Sequence, residues 1–303
     1  MDEAQTTGNI ETQPITDWHR PLRDADFLTA STIEEALAMV NENPDARFIA
    51  GGTTLVRMER WGGNLPSTLI YIGQIEEMQQ VREEGGRLVL GALVVHDRLR
   101  QAVAHRAGAG LLWSAAQEIA GPAVRNLATI GGNVYIDWDM VPSLMALDAQ
   151  VHVREQNGDR WIPLADFYDR TGNPKMSPKQ LITEVSIATD LPLQAYQKIA
   201  RRRALSRAIV GAAVAMAVDG EACREIRIGL GGAGLRSRRL TDAEALLSGN
   251  PISDDLVQEA GEAAFESAAD ALEDMEAKPW YTRDMARVMV ERAINAAAGR
   301  PVL

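Results

Sequence analysis

Ala50-Gly51-Gly52-Thr53-Thr54-Leu55 and, eighty residues on from Gly51 to Gly131, Thr129-Ile130-Gly131-Gly132-Asn133 are the stretches that decide how this 303-residue chain is read. Each follows an apolar run and presents small residues, hydroxyls and bare backbone N–H groups, the chemistry that lets main chain approach a phosphate closely. The first grows out of Arg47-Phe48-Ile49, which reads as the end of a buried strand, and Thr53 and Thr54 add hydroxyl donors. Taken alone, a Gly-Gly pair serves equally well as a strand-to-turn connection with no ligand. Asn133 and the nearby Arg125 can likewise do no more than satisfy turn carbonyls. As a pair, the two segments suit the two sides of one diphosphate.

Neither segment is a common nucleotide fingerprint. No Gly-x-Gly-x-x-Gly opens a helix after a strand, which argues against a Rossmann NAD site. No Gly-x-x-x-x-Gly-Lys-Ser/Thr occurs, which argues against phosphoryl transfer.

Several motifs then fall in one order: Phe48-Ile49-Ala50-Gly51-Gly52-Thr53-Thr54-Leu55, Gly91-Ala92 after Leu88-Val89-Leu90, Val124-Arg125-Asn126 leading into Thr129-Ile130-Gly131-Gly132-Asn133, and Pro142 with Leu147-Asp148-Ala149. Over residues 25–300 the chain resembles the FAD-binding medium subunit of the molybdenum hydroxylases, the group of xanthine dehydrogenase, aldehyde oxidoreductase and carbon monoxide dehydrogenase. The resemblance implies an α+β chain: a two-subdomain PCMH-type FAD-binding domain, then a smaller α+β domain of antiparallel strands and helices. It implies FAD between the subdomains, with backbone contacts at Ala50, Gly51, Gly52 and Gly132, and side chains from Thr53, Thr54, Thr129 and Asn133. Leu55 and Ala120 stand at further contact positions, and Val134 where an aliphatic residue faces the flavin ring. Asp139 stands where an acid meets the adenosine ribose, Ile182 beside the adenine, and Lys198 where a lysine of the second domain reaches toward the flavin. As read from the residues, Lys198 is equally a surface lysine.

The resemblance also implies partners: a large subunit with the molybdopterin cofactor and a small subunit with [2Fe–2S] clusters, with a dimer of heterotrimers as an arrangement it allows. Electrons would pass from the clusters through FAD to an acceptor left open among NAD, oxygen, a quinone and other carriers, and no catalytic acid or base is expected here. Two other readings stand beside it, a stand-alone FAD-dependent oxidase or reductase and an assembly subunit that has lost FAD. The second is motivated by the stretch between Asn133 and Pro142, where Tyr135-Ile136-Asp137-Trp138 replaces the usual small Asp-Pro turn in a shortened segment. Ser206 likewise stands where many relatives have aspartate.

Composition narrows the classes. A net charge of −11 argues against a nucleic-acid surface, which needs a basic stripe. The exception is Arg201-Arg202-Arg203 with Arg207, either solvated charge or a group that meets ligand phosphates or an acidic partner. With Cys223 as the one cysteine, a four-thiolate iron–sulfur cluster cannot form within this chain. His19, His96, His105 and His152 lack metal-ligand spacing, so no metal site is expected, and His96-Asp97 reads as the start of a helix. No apolar run approaches bilayer length and residues 1–24 do not resemble a secretory signal, so the expectation is a cytoplasmic protein with a flexible N-terminal extension.

Periodicity supplies the elements. Ser31-Thr32-Ile33-Glu34 reads as a capping box opening a helix to residue 41, followed by strands at 47–50 and 68–72. Residues 87–91 and 150–154 read as strands, 97–104 and 111–119 as helices, 142–147 as a short buried helix, 172–175 as a turn and 184–187 as a strand. Residues 192–195 read as a connection, which places FAD-binding subdomains at about 25–80 and 81–195 and the C-terminal domain at 196–303. There, strands at 208–218 and 226–230 turn through Asp219-Gly220, and helices follow at 242–247, 254–272 and 283–298.

Overall fold

The structure, a computed structural model, describes residues 25–60, 66–169, 172–203, 205–275 and 277–302; the N-terminal extension at 1–24, with His19, lies outside the described residues. The first unit runs β1 (Asp26–Thr29), α1 (Ile33–Glu42), β2 (Arg47–Ile49), α2 (Leu55–Arg60) and β3 (Thr68–Tyr71). Its strands are parallel in the order β1-β3-β2. Helix α1 forms because Ile33, Ala36, Leu37 and Val40 fall on one face and are all buried. Its capping box sits one residue later than the sequence suggests: Thr32 Oγ1 accepts from Glu35 N–H at 3.1 Å, and Glu35 Oε2 accepts from Ser31 N–H at 2.7 Å. Ile33 must be the first buried residue, so the extended cap position falls to Thr32.

The second unit comprises β4 (Val81–Glu84), β5 (Arg87–Gly91), α3 (His96–Val103), α4 (Gly110–Glu118), α5 (Pro122–Arg125), α6 (Ile130–Tyr135), α7 (Val141–Ala146), β6 (Gln150–Glu155), β7 (Gly158–Pro163), α8 (Leu164–Phe167) and β8 (Leu181–Ala188). Its five strands pair antiparallel in the order β4-β5-β8-β6-β7.

The third unit is a four-stranded antiparallel sheet, β12-β11-β10-β9, followed by helices. Its elements are β9 (Leu193–Ala200), β10 (Ala208–Asp219), β11 (Ala222–Gly232), β12 (Leu235–Arg239), α9 (Thr241–Leu247), α10 (Asp254–Ser267) and α11 (Pro279–Ala297). Residues 193–195, read from sequence as a connection, already belong to β9, where Gln194 and Ala195 pair with Ala215 and Val214 of β10.

The unbroken apolar run of β10 has a plain cause. Val210, Ala212, Val214 and Met216 face one way into the core that this sheet shares with α9, α10 and α11. Ala213, Ala215 and Ala217 face the other way and join the core of the first two units. A strand buried on both faces cannot alternate with polar residues. The small alanines let helix α7 lie close on β10 and β11, so close that a Cβ on Gly229 would stand 2.0 Å from the Pro142 carbonyl oxygen.

Glu244 of α9 ties this unit together. Its Oε1 accepts from Ile228 N–H at 2.8 Å and from Arg239 Nε at 2.7 Å, and its Oε2 accepts from an Arg239 terminal nitrogen at 2.7 Å. Replacing it by alanine leaves the Ile228 amide and the guanidinium short of acceptors. Glu244→Ala is expected to lower unfolding free energy by about 2–3 kcal/mol, read as a shifted urea midpoint at unchanged slope, with Glu244→Gln recovering part of it.

Candidate functional site

The two glycine segments, far apart in sequence, line one cavity of about 610 Å³, a size typical of cofactor sites. Their approach depends on the absence of a side chain at residue 51. A Cβ there would stand 1.9 Å from the Leu127 carbonyl oxygen, so the first segment lies directly on the main chain that leads into the second. Gly52 supplies the turn, with φ of 67°, and its carbonyl accepts Val56 N–H at 3.0 Å to open α2.

The second segment corrects the sequence reading. It is the first turns of α6 rather than a loop: Thr129 is the N-cap, and its Oγ1 accepts Gly132 N–H at 3.1 Å. Gly131 packs on Ala92, whose carbonyl accepts Gly131 N–H at 2.9 Å. Helical geometry also decides what faces inward. Ile130 and Val134, four apart, are both fully buried. Val134 therefore belongs to the core and not to the cavity wall, where Tyr135 and Ile136 stand instead. Its carbonyl accepts the Tyr168 hydroxyl at 2.5 Å.

Ala50, Gly51, Gly52, Thr53, Thr54, Leu55, Ala120, Thr129, Gly132, Asn133, Asp139 and Ile182 all line the cavity. Ala120 does so in a left-handed conformation, φ 42°, with its carbonyl and that of Ile119 accepting from Arg125 at 2.8 and 3.0 Å. Lys198 lies outside the wall. Its side chain is 5% exposed, so it is no surface lysine either, and Nζ donates to the carbonyls of Glu118 (2.7 Å) and Ser206 (2.9 Å) and pairs with Asp139 Oδ2 at 3.6 Å. β9 places it behind the wall as the counter-charge of Asp139. That carboxylate also accepts Ala208 N–H at 3.1 Å. Burial pushes the Asp139 carboxyl above its ordinary range, while Lys198 and the Ala208 amide pull it back.

The unusual stretch before Pro142 is fastened to the third unit. Asp137, at φ 49°, accepts Ser237 N–H of β12 at 2.9 Å. The Trp138 ring carries the Arg207 guanidinium over it at 4.0 Å, with Arg57 of the first unit 5.7 Å from the ring centroid. Arg57, Trp138 and Arg207 line the cavity, so the arginine cluster divides: residues 201–203 are exposed and Arg207 is part of the wall.

Sequence reading also missed His96, which opens α3, is 1% exposed and lines the cavity. A single histidine after an apolar strand carries no signal of its own. Burial first, then the charge of Arg125, push its imidazolium down from 6.5 to about 4, so the ring is neutral at pH 7. Its Nδ1 has no hydrogen-bond partner among the described residues.

Such a wall fits a flavin dinucleotide. It offers backbone where a diphosphate needs close approach, arginines for its charge, and apolar surface from Phe48, Ile49 and Ile182 for flat rings. Among the described residues no group of three or more His, Cys, Asp or Glu side chains is placed to hold a metal ion, and no helix is long and apolar enough to cross a membrane.

Two outcomes follow from this geometry. Gly51→Ala forces a side chain into the Leu127 carbonyl and is expected to lower stability by about 1–3 kcal/mol in denaturant titration. For His96 the unfolded chain binds the proton more tightly, so the group's contribution is complete above pH 6.5 and is lost as pH falls through about 4. The stability advantage of the native chain over His96→Leu should therefore shrink by roughly 2–3 kcal/mol between pH 7 and pH 4, measured by urea unfolding at each pH.

Comparison with known proteins gives concordant matches. The profile described as FAD binding domain in molybdopterin dehydrogenase matches residues 21–189, and that of the CO dehydrogenase flavoprotein C-terminal domain matches residues 194–297. The carbon monoxide dehydrogenase medium chain of Hydrogenophaga pseudoflava is 30% identical over 281 residues, covering 91% of this chain and 97% of that one. The nicotinate dehydrogenase FAD-subunit of Eubacterium barkeri is 30% identical over 247 residues, covering 77% and 82%. In structure, carbon monoxide dehydrogenase from Hydrogenophaga pseudoflava superposes with a TM-score of 0.87 at 30% identity, over 92% of this chain and 99% of that one. With the profile matching more than half of its length and both glycine segments on one cavity, this chain belongs to the FAD-binding medium-subunit family of the molybdenum hydroxylases.

Proposed function

We propose that this chain is the electron-transfer subunit of a multi-subunit molybdenum hydroxylase, taking electrons from [2Fe–2S] clusters of a small partner subunit and passing them through FAD to an external acceptor. Substrate hydroxylation then belongs to a large partner subunit that holds the molybdopterin cofactor, and the complex is a dimer of heterotrimers. The observation that carries the reading is the single cavity bounded by both glycine segments. The lone cysteine, Cys223, adds to it, because clusters must come from another chain.

FAD, when bound, accepts electrons one at a time and can release them singly or in pairs. The chain's own residues bind and orient it. Main chain at Ala50, Gly51, Gly52 and Gly132, which lines the cavity, would hold the diphosphate, and the hydroxyls of Thr53, Thr54 and Thr129 and the Asn133 amide would add donors. Leu55, Ala120 and Ile182 exclude water from the flat rings, and Asp139, already held by Lys198, keeps acceptor capacity for a ribose hydroxyl. Lys198 acts through Asp139 rather than on the cofactor. The same reading divides the chain into an FAD-binding domain, with subdomains at about 25–80 and from 81 to the end of β8, and a C-terminal domain that opens with β9 at Leu193 rather than at 196; what supports it is the fall of the parallel, five-stranded and four-stranded sheets along the chain.

The test is spectroscopic. The purified full chain is expected to carry a flavin absorbance band, and substrate added anaerobically to the complex should bleach it only when the large and small chains are present. Bleaching of the chain alone would favour a stand-alone oxidase or reductase, and a chain that never takes up FAD would favour an assembly subunit. The mass of the purified complex tests the dimer of heterotrimers.

A further inference from the structure

One apolar residue of the cavity wall stands where folding alone gives it no reason to be. Leu205, between the Arg201-Arg202-Arg203 run and Arg207, has a left-handed backbone, φ 57°, a geometry that leucine adopts only at a cost. It is also 59% exposed, so burial in the core does not offset that cost. It lines the cavity and is open to whatever enters there. The loop is fastened in this form, because Arg202 donates to the Leu205 carbonyl at 3.2 Å and Lys198 Nζ to the Ser206 carbonyl at 2.9 Å. Strain held in this way clusters at ligand sites.

The neighbours of Leu205 fix the part of the cavity it serves. A Cβ on Gly121 would stand 3.1 Å from Leu205 Cδ2, so the side chain reaches from the third unit to the main chain beside Ala120. Lys198 Nζ, which holds the Ser206 carbonyl, also holds the Glu118 carbonyl at 2.7 Å and pairs with Asp139 Oδ2 at 3.6 Å. One ammonium thus gathers the 205–206 loop, the turn that carries Ile119 and Ala120, and the acid that the FAD reading gives to the adenosine ribose. Ile119, Ala120 and Leu205 all line the cavity, so a purine joined to that ribose meets apolar side chains from two units.

We propose that Leu205 packs on the adenine of the FAD held in this cavity, which makes it a cofactor-binding residue outside both glycine segments and the third unit's own contact with the cofactor. The inference rests on the FAD reading above. The left-handed backbone directs a leucine into a space that glycine, which takes this geometry freely, would leave open. Covering the ring removes apolar surface of both partners from water, so the side chain adds affinity for the adenosine half and none for the flavin half.

The full chain, stripped of flavin, is titrated with FAD, ADP and FMN by calorimetry as wild type, Leu205→Gly and Leu205→Met. Glycine relieves the strained backbone, so the variant does not put folding at risk. Leu205→Gly is expected to weaken FAD and ADP binding about tenfold each and to leave FMN binding unchanged, with Leu205→Met recovering most of the loss. In the wild-type chain loaded with FAD, methyl NMR should show through-space contacts from the Leu205 methyl groups, identified by their absence in Leu205→Gly, to the adenine ring protons. Equal FAD affinity in wild type and Leu205→Gly, an unchanged ADP affinity, or methyl contacts that miss the adenine would overturn the proposal. Should ADP or FMN bind too weakly to titrate, the methyl contacts decide. Failure of the wild-type chain to bind FAD at all would instead overturn the flavin reading, a result distinct from the others.

Discussion

The approach of Gly51 to the Leu127 carbonyl is the contact on which the remaining geometry depends. It brings a strand-to-helix turn of the first unit against the main chain of the second, at a separation that any side chain would prevent. Once the two backbones touch, the turn at 51–54 and the N-terminal turn of α6 bound one space, and main chain from both segments forms part of its wall. Main-chain donors need no side-chain entropy to be ordered, which suits a cofactor held for its redox chemistry rather than exchanged each turnover.

The third unit closes that space from the other side. Asp137 on Ser237, Trp138 under Arg207, and Asp139 on Ala208 and Lys198 place three consecutive residues of the second unit on the third. The segment that looked anomalous in sequence is therefore an inter-unit seam. Its left-handed Asp137 is tolerated because the side chain is hydrogen-bonded where it lands. The seam is reinforced by α7 on the small-residue face of β10 and β11, so the wall and the C-terminal sheet fold as one packed body.

Much of this was legible in the sequence because it follows from local chemistry. The apolar period of α1, the Asp219-Gly220 turn and the two glycine segments all carry patterns that depend on neighbours in the chain. What could not be read depends on residues brought together from afar. Val134 was placed at the ring because sequence order cannot say which face of a six-residue helix is buried; the partner of that face is Ile130 and the core behind it. For Lys198 the sequence left two readings, a lysine reaching toward the flavin or one on the surface, because its charge is visible in sequence and the neighbouring Asp139 that buries with it is not. His96 escaped notice for the same reason: its burial in the wall beside the Asn133 amide is a contact that no spacing records. The four-residue β1 and six-residue α2 were missed because, unlike the comparably short β2, β3 and α7, they are not marked by an apolar run.

Trp138 sits where the three units meet, an indole with the guanidinium of Arg207 over its face and that of Arg57 farther off. Its fluorescence is exposed to quenching by both cations and, across the cavity, to energy transfer into any yellow chromophore seated there. The molecule thus contains an optical gauge of its own assembly, one whose signal joins the state of each unit to the occupancy of the space between them.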